Sequence, residues 1–100
     1  MESKLYRAIE GDDTDSALAL IAAGADLNVG QVLSNGTGFS NLCGAIQKDN
    51  TEVALVLIAK GAELDFGWSF ANFSTYTNLY VAIDEVNTKV ALALIEKGAE

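Results

Sequence analysis

The sequence contains no histidine, only one cysteine, and six lysines and arginines against fourteen aspartates and glutamates. Without histidine, the side chain that ordinarily moves protons near neutral pH is missing. The aspartates and glutamates are scattered along the chain rather than gathered, so no acid–base set takes its place and no catalytic residue is assigned. A lone Cys43 allows no internal disulfide, which fits a reducing compartment and leads us to expect a cytoplasmic protein. No run of about 18 apolar residues is present, so a transmembrane helix is not expected. The N-terminal stretch MESKLYRAIEGDD has neither the basic head nor the apolar centre of a secretory signal. The net charge of −8 repels nucleic acid and anionic membranes alike and suits a basic protein partner or simple solubility.

What the chain does have is repetition. The phrase ALVLIAKGAE at 54–63 returns as ALALIEKGAE at 91–100, and a weaker copy, ALALIAAGAD, lies at 17–26. Superposing them aligns Leu5, Leu42 and Leu79, then Ala8, Ala45 and Ala82, then Ile9, Ile46 and Ile83, without a gap. Thr14, Thr51 and Thr88 follow, and the Gly-Ala pairs 24–25, 61–62 and 98–99 close the register. The spacing is 37 residues throughout, and a fixed period in the range of about 20 to 50 residues is the signature of a stacked-repeat protein. The expected architecture is one domain over 1–100, an all-α repeat solenoid with units at about 4–40, 41–77 and an incomplete 78–100.

Each unit reads as two short helices and an extended link. In NLCGAIQK, Leu42, Ala45 and Ile46 fall on one helical face, with Ser40 before them as the expected N-cap and Thr77 in the same role one unit later. The pairs Asp49-Asn50 and Val86-Asn87 suit a tight turn, because asparagine tolerates left-handed backbone, and Thr51 is placed to cap the second helix. That helix, EVALVLIAK, is apolar nearly all round and must be buried on several sides. Gly61 supplies the left-handed residue that ends it. The links carry Asn35-Gly36, a strong hairpin signal, and FGWSF, which puts Phe66, Trp68 and Phe70 on one face of an extended strand. Ser16 stands where Val53 and Val90 stand later, so the first unit reads as a polar cap, whereas the last helix keeps Leu92, Leu94 and Ile95 and reads as uncapped.

With these residues in place the sequence resembles the ankyrin repeat family, whose unit is a turn and two helices in about 33 residues. NTEVALVLIAKGAELD matches the second-helix half, while SNLCGAI and TNLYVAI occupy the place of the T-P-L-H-x-A-A stretch. Asn41 and Asn78 stand for the proline and Cys43 and Tyr80 for the histidine, so the hydrogen bonding of that turn is expected to differ. Each link is also longer than the family's. Tetratricopeptide repeats need two longer helices in about 34 residues and leave no room for such links. The resemblance implies protein–protein recognition through the hairpin fingers and the exposed ends of the first helices.

On that basis the expected contact residues are Phe39, Gln47, Lys48, Trp68, Phe73, Tyr76, Asp84 and Glu85. Five of the eight aromatics lie between Phe66 and Tyr76, and aromatics dominate binding hot spots. Phe66 and Phe70 each suit the core and the surface equally. Asp12, Asp13 and Asp15 lack the spacing of a calcium loop and fall at an inter-helix turn, where capping and solubility account for them. Cys43 reads as a small packed side chain rather than a nucleophile. Asn35-Gly36-Thr37 and Asn72-Phe73-Ser74 match the glycosylation acceptor pattern, and with no signal segment expected the match reads as coincidence. No metal or cofactor is expected. The partner is another protein, with neither nucleic acid nor membrane involved. Self-association through the C-terminal helix is a further expectation, and so is the alternative in which these units are the N-terminal support of a longer array.

Overall fold

A computed structural model describes residues 2–69 and 75–99. Three helical hairpins stack side by side: α1 (Lys4–Glu10) with α2 (Thr14–Ala22), α3 (Asn41–Gln47) with α4 (Thr51–Ala59), and α5 (Asn78–Asp84) with α6 (Thr88–Glu96). The first helices α1, α3 and α5 form one layer and the second helices α2, α4 and α6 the other, each touching its counterpart in the next hairpin.

The helix starts follow from short polar side chains that satisfy amide groups left over at a helix N-terminus. Ser3, Ser40 and Thr77 cap the first helices, their hydroxyls accepting from the amides of Tyr6 (3.0 Å), Cys43 (2.9 Å) and Tyr80 (3.1 Å). For the second helices the structure corrects the sequence reading. The caps are Asp13, Asn50 and Asn87, and Thr51 is already the first helical residue. Nor is asparagine the left-handed residue of the turn: Asp12, Asp49 and Val86 take that conformation, with φ of 58°, 57° and 57°. Cap and turn are adjacent duties, and the asparagine side chain is used for the cap. Asp12 lies in the turn and Asp13 caps α2, as the sequence reading has it, whereas Asp15 is already in the first turn of the helix.

Each second helix ends as expected at a glycine with positive φ, Gly24, Gly61 or Gly98. The alanine after it donates its amide to the carbonyl five residues back, at 3.1, 3.0 and 2.9 Å, which closes the helix end with a C-terminal capping turn.

Stacking buries the aliphatic stripe. Ile9, Ile46, Val53, Leu57, Val90 and Leu94 are fully enclosed, and Ala17, Ala45 and Ala54 let helices approach closely between them. Each large aliphatic side chain removed from water contributes on the order of 1.5–3 kcal/mol. Ser16 is exposed while its counterparts Val53 and Val90 are buried.

The links form hairpins. β1 (Val29–Val32) pairs with β2 (Gly38–Ser40), and β3 (Trp68–Ser69) with β4 (Thr75–Tyr76), all antiparallel. The turn of the first hairpin centres on Gly36, φ 90°, with the Asn35 carboxamide accepting from the Thr37 amide at 2.9 Å. β2 also pairs with β3, so the two hairpins join into one four-stranded sheet, whose first two strands pack against α1 and α3.

Polar side chains tie neighbouring units together at equivalent places. The Asn50 amide donates to the hydroxyl of Thr14 (2.9 Å), and the Asn87 amide to that of Thr51 (3.1 Å). The Ser3 hydroxyl donates to the Asn41 carboxamide oxygen (3.4 Å), and Ser40 to that of Asn78 (3.3 Å). Asn78, fully buried, donates to the carbonyls of Leu64 and Phe66 at 2.8 Å each, and Asn41 to that of Asp26 at 3.2 Å. The asparagines standing for the family's proline thus fasten the link to the start of the next helix.

Candidate functional site

The sheet sets the geometry of the expected contact residues. In its register Phe39 faces Trp68 across β2–β3, and Trp68 faces Tyr76 across β3–β4. Residues paired across strands share a face, and the three side chains form a continuous row. Ring centroids lie 5.3 Å apart for Phe39–Trp68 and 5.7 Å for Trp68–Tyr76, the second pair edge-on at 63°. At one end Tyr6 approaches Phe39 at 6.4 Å; at the other Tyr80 stacks on Tyr76 at 4.9 Å and 12°. Five rings from all three units therefore form one file along the edge where hairpins meet first helices.

Tyr6 and Tyr80 occupy equivalent places but differ in exposure. Tyr6 is buried and held between two glycines: a Cβ at Gly30 would collide with its Cδ1, and one at Gly44 would lie 2.7 Å from its Cε1. Burial, with Glu10, Cys43 and Glu2 nearby, pushes its phenol up to about 12. Tyr80 is 53% exposed.

Tyr80 begins an acidic ridge. Asp84 lies four residues on along α5 and so on the same helical face, and Glu85 is the C-cap residue. Gln47, at the end of α3, lies beside them. Together with Trp68, Tyr76 and Val81 these residues line a cavity of about 250 Å³. Glu85 is felt as far as the buried Cys43 thiol, which burial first and Glu85 second push up to about 12. At the far end Glu10 is held above the usual carboxylate range, chiefly by its hydrogen bond with Glu2 and then by desolvation, with Lys48 acting in the opposite sense. Asp13 is lowered by its bonds from the Ser16 hydroxyl and amide.

Of the contact residues expected from sequence, Gln47, Trp68, Tyr76, Asp84 and Glu85 converge on this cavity. Phe39 lies behind Trp68, and Lys48 caps α3 on the side of Glu10. Trp68 is half-buried and packed against the core, as is Phe39, so neither is a freely projecting side chain. Phe66 is half-buried as well; Phe70 and Phe73 lie outside the described residues. Tyr80 was missed. Its signal was its i, i+4 relation to Asp84 on a face that the aliphatic stripe leaves open. Cys43 is fully buried, as expected of a packing residue. Among the described residues no group of three or more candidate ligands is placed to hold a metal ion, and no helix is long and apolar enough to cross a membrane.

No protein-family model and no curated protein matches the sequence. Among solved structures the chain is similar to the crystal structure of the human ASB11 ankyrin repeat domain, with a TM-score of 0.74 and 25% identity. The likeness covers 99% of this chain and 41% of that one, so the chain spans well under half the length of that domain. Stacked helical hairpins joined by extended links, superposable over nearly the whole chain on an ankyrin domain, make the resemblance to the ankyrin repeat family one of structure as well as of sequence.

Proposed function

We propose that this is a non-catalytic, cytoplasmic interaction module built from 37-residue ankyrin-like units at about 4–40, 41–77 and 78–100. It binds another protein through its hairpin fingers and the ends of its first helices. Phe39, Gln47, Lys48, Trp68, Tyr76, Asp84 and Glu85 are the contact residues; Phe73 is proposed from sequence alone. The observation that carries this reading is the aromatic file of the sheet, which meets Gln47 at the end of α3 and the acidic end of α5 at a single cavity. Accessible aromatics ringed by polar groups are the usual composition of a surface that becomes a binding hot spot. The test is co-purification from the native source with the natural chain and with a Tyr76→Ser/Asp84→Ala variant of equal thermal stability. A protein retained by the first and lost by the second is expected. Retention by both would move the binding surface elsewhere.

A second reading, in which these units support an array whose functional site lies elsewhere, is favoured by α5 and α6. Ile9 and Ile46 are 0% exposed, but their counterpart Ile83 is 62% exposed; Ile21 and Ile58 are 5% and 4% exposed, but Ile95 is 56%. With Val86 and Leu92 these residues leave an apolar row of the kind that buries the preceding units against one another. Another ankyrin-like unit would cover it, either further along a longer chain or in a second copy. Light scattering on the chain and on Leu92→Glu tests this: a stable monomer indifferent to the charge would mean that the row is a finished end.

A further inference from the structure

We infer that the cavity between β3–β4 and the ends of α3 and α5 takes a cationic side chain, lysine or arginine, of a protein partner. This rests on the protein-binding reading above and names the chemistry of the contact.

The walls are unlike in kind. The stacked rings of Tyr76 and Tyr80, 4.9 Å apart, form one side, and Trp68 meets Tyr76 edge-on to make a corner. The remaining lining is the Gln47 carboxamide, Val81, and the carboxyl-bearing Asp84 and Glu85. No lysine or arginine is among these lining residues. Aromatic faces attract cations through their quadrupole, tryptophan most strongly, and two carboxylates beside them give the same site a formal negative charge. A neutral apolar occupant would gain from the rings and leave both carboxylates facing it. A cation gains from every wall. The volume, about 250 Å³, is below that of sites for drug-sized ligands and suits a single side chain. The net charge of −8 steers basic partners towards the chain in general.

The repeat itself serves as an internal control. At the places of Tyr80, Asp84 and Glu85, the middle unit has Cys43, Gln47 and Lys48, and the first has Tyr6, Glu10 and Gly11. Cys43 and Tyr6 are buried, and Lys48 would repel a cation. The combination of an open tyrosine with two successive carboxylates occurs in the third unit alone, against a background that is otherwise repeated. The aromatic–carboxylate site is therefore a departure from the stacking pattern rather than a product of it.

Trp68 is the only tryptophan, so its emission reports directly on the cavity. The probes are short acetylated, amidated glycine peptides carrying one central arginine, lysine or trimethyl-lysine. The neutral controls carry citrulline or acetyl-lysine. Charged peptides are expected to shift Trp68 emission and to bind about fivefold or more tightly than their neutral counterparts. Asp84→Asn/Glu85→Gln, two exposed conservative changes, is expected to remove most of that preference, and Tyr80→Leu to weaken all charged peptides. A preference for trimethyl-lysine over lysine would assign the larger share to the rings. The reverse order would assign it to the carboxylates. Both orders support a cation site. Equal binding of charged and neutral peptides, or an unaltered preference in the double variant, overturns the inference. The protein-binding reading fails separately, if co-purification with the natural chain retains no protein at all.

Discussion

The ring of Tyr6 occupies the space that a side chain at Gly44 would need: a Cβ there would stand 2.7 Å from Tyr6 Cε1. The first unit is therefore keyed into the second by an aromatic ring lying over a glycine. Gly30 closes the other side, where an added Cβ would also meet the Phe39 carbonyl oxygen at 2.7 Å, so the ring has little freedom to retreat. Gly44→Ala is expected to destabilise the domain by about 1–3 kcal/mol, the usual range for overpacking a filled core. In a Tyr6→Ala background the same change should cost much less, and urea unfolding of the four proteins measures that coupling. Equal costs in both backgrounds would mean that the ring does not set the penalty.

Val86 is a β-branched residue held at φ 57° on the surface, 81% exposed, where the first two units place Asp12 and Asp49. Left-handed backbone costs a residue of this kind on the order of 1 kcal/mol or more, whereas asparagine adopts it readily. Val86→Asn is expected to raise the unfolding free energy by about 1 kcal/mol with little packing lost. A fall in the urea midpoint would show that Val86 contributes through a contact instead.

The helices, their order and the capping glycines could be read from the sequence, because each depends on neighbours within a few residues. The aliphatic spacing of Leu42, Ala45 and Ile46, and the glycine at 61, are local signals. The division of labour at Asp49-Asn50 was not legible, since asparagine suits both the turn and the cap. The structure decides by giving the Asn50 side chain a second partner, Thr14 of the preceding unit, at 2.9 Å. The cavity was legible only in part. Trp68, Tyr76, Asp84 and Glu85 could be proposed one by one, but the register that places Phe39 opposite Trp68 joins segments from different links. No short-range pattern encodes that pairing.

Asn78 donates to two carbonyls at 2.8 Å while fully buried. Its removal would strand the Leu64 and Phe66 carbonyl oxygens away from water, at a cost of about 1–3 kcal/mol for a buried group left unpaired. Asn78→Ala should therefore lose at least about 2 kcal/mol by urea denaturation. Hydrogen exchange should rise first in the segment between Leu64 and Trp68. A loss spread evenly over the chain would argue against a local fastening role.

Cys43 has a thiol pushed from 9.0 up to about 12, and Tyr6 a phenol pushed from 10.0 up to about 12, both primarily by burial. In each case the folded state holds the proton more tightly than the unfolded chain does. The associated stability is complete below about pH 9 and is lost as the pH rises from there towards 12. The urea midpoint should fall across that window, and Cys43→Ala should flatten the first part of the fall. At pH 8 a thiol reagent should label Cys43 only as fast as the protein opens. Rapid labelling of the folded protein would contradict its burial.

The rungs between units, Thr14 with Asn50 and Thr51 with Asn87, and Ser3 with Asn41 and Ser40 with Asn78, recur at matched positions. A chain fastened in this way cannot gain or lose a few residues inside a helical hairpin without breaking a rung, although the tips of the links lie clear of the rungs. It can gain or lose a whole unit, because the new neighbours then present the same donors to the same acceptors. Outside the tips of the links, changes of length should therefore be quantised. Duplication and deletion in register are the inexpensive routes by which such a gene would lengthen or shorten, and a likeness such as that of 54–63 to 91–100 is what the first of these would leave.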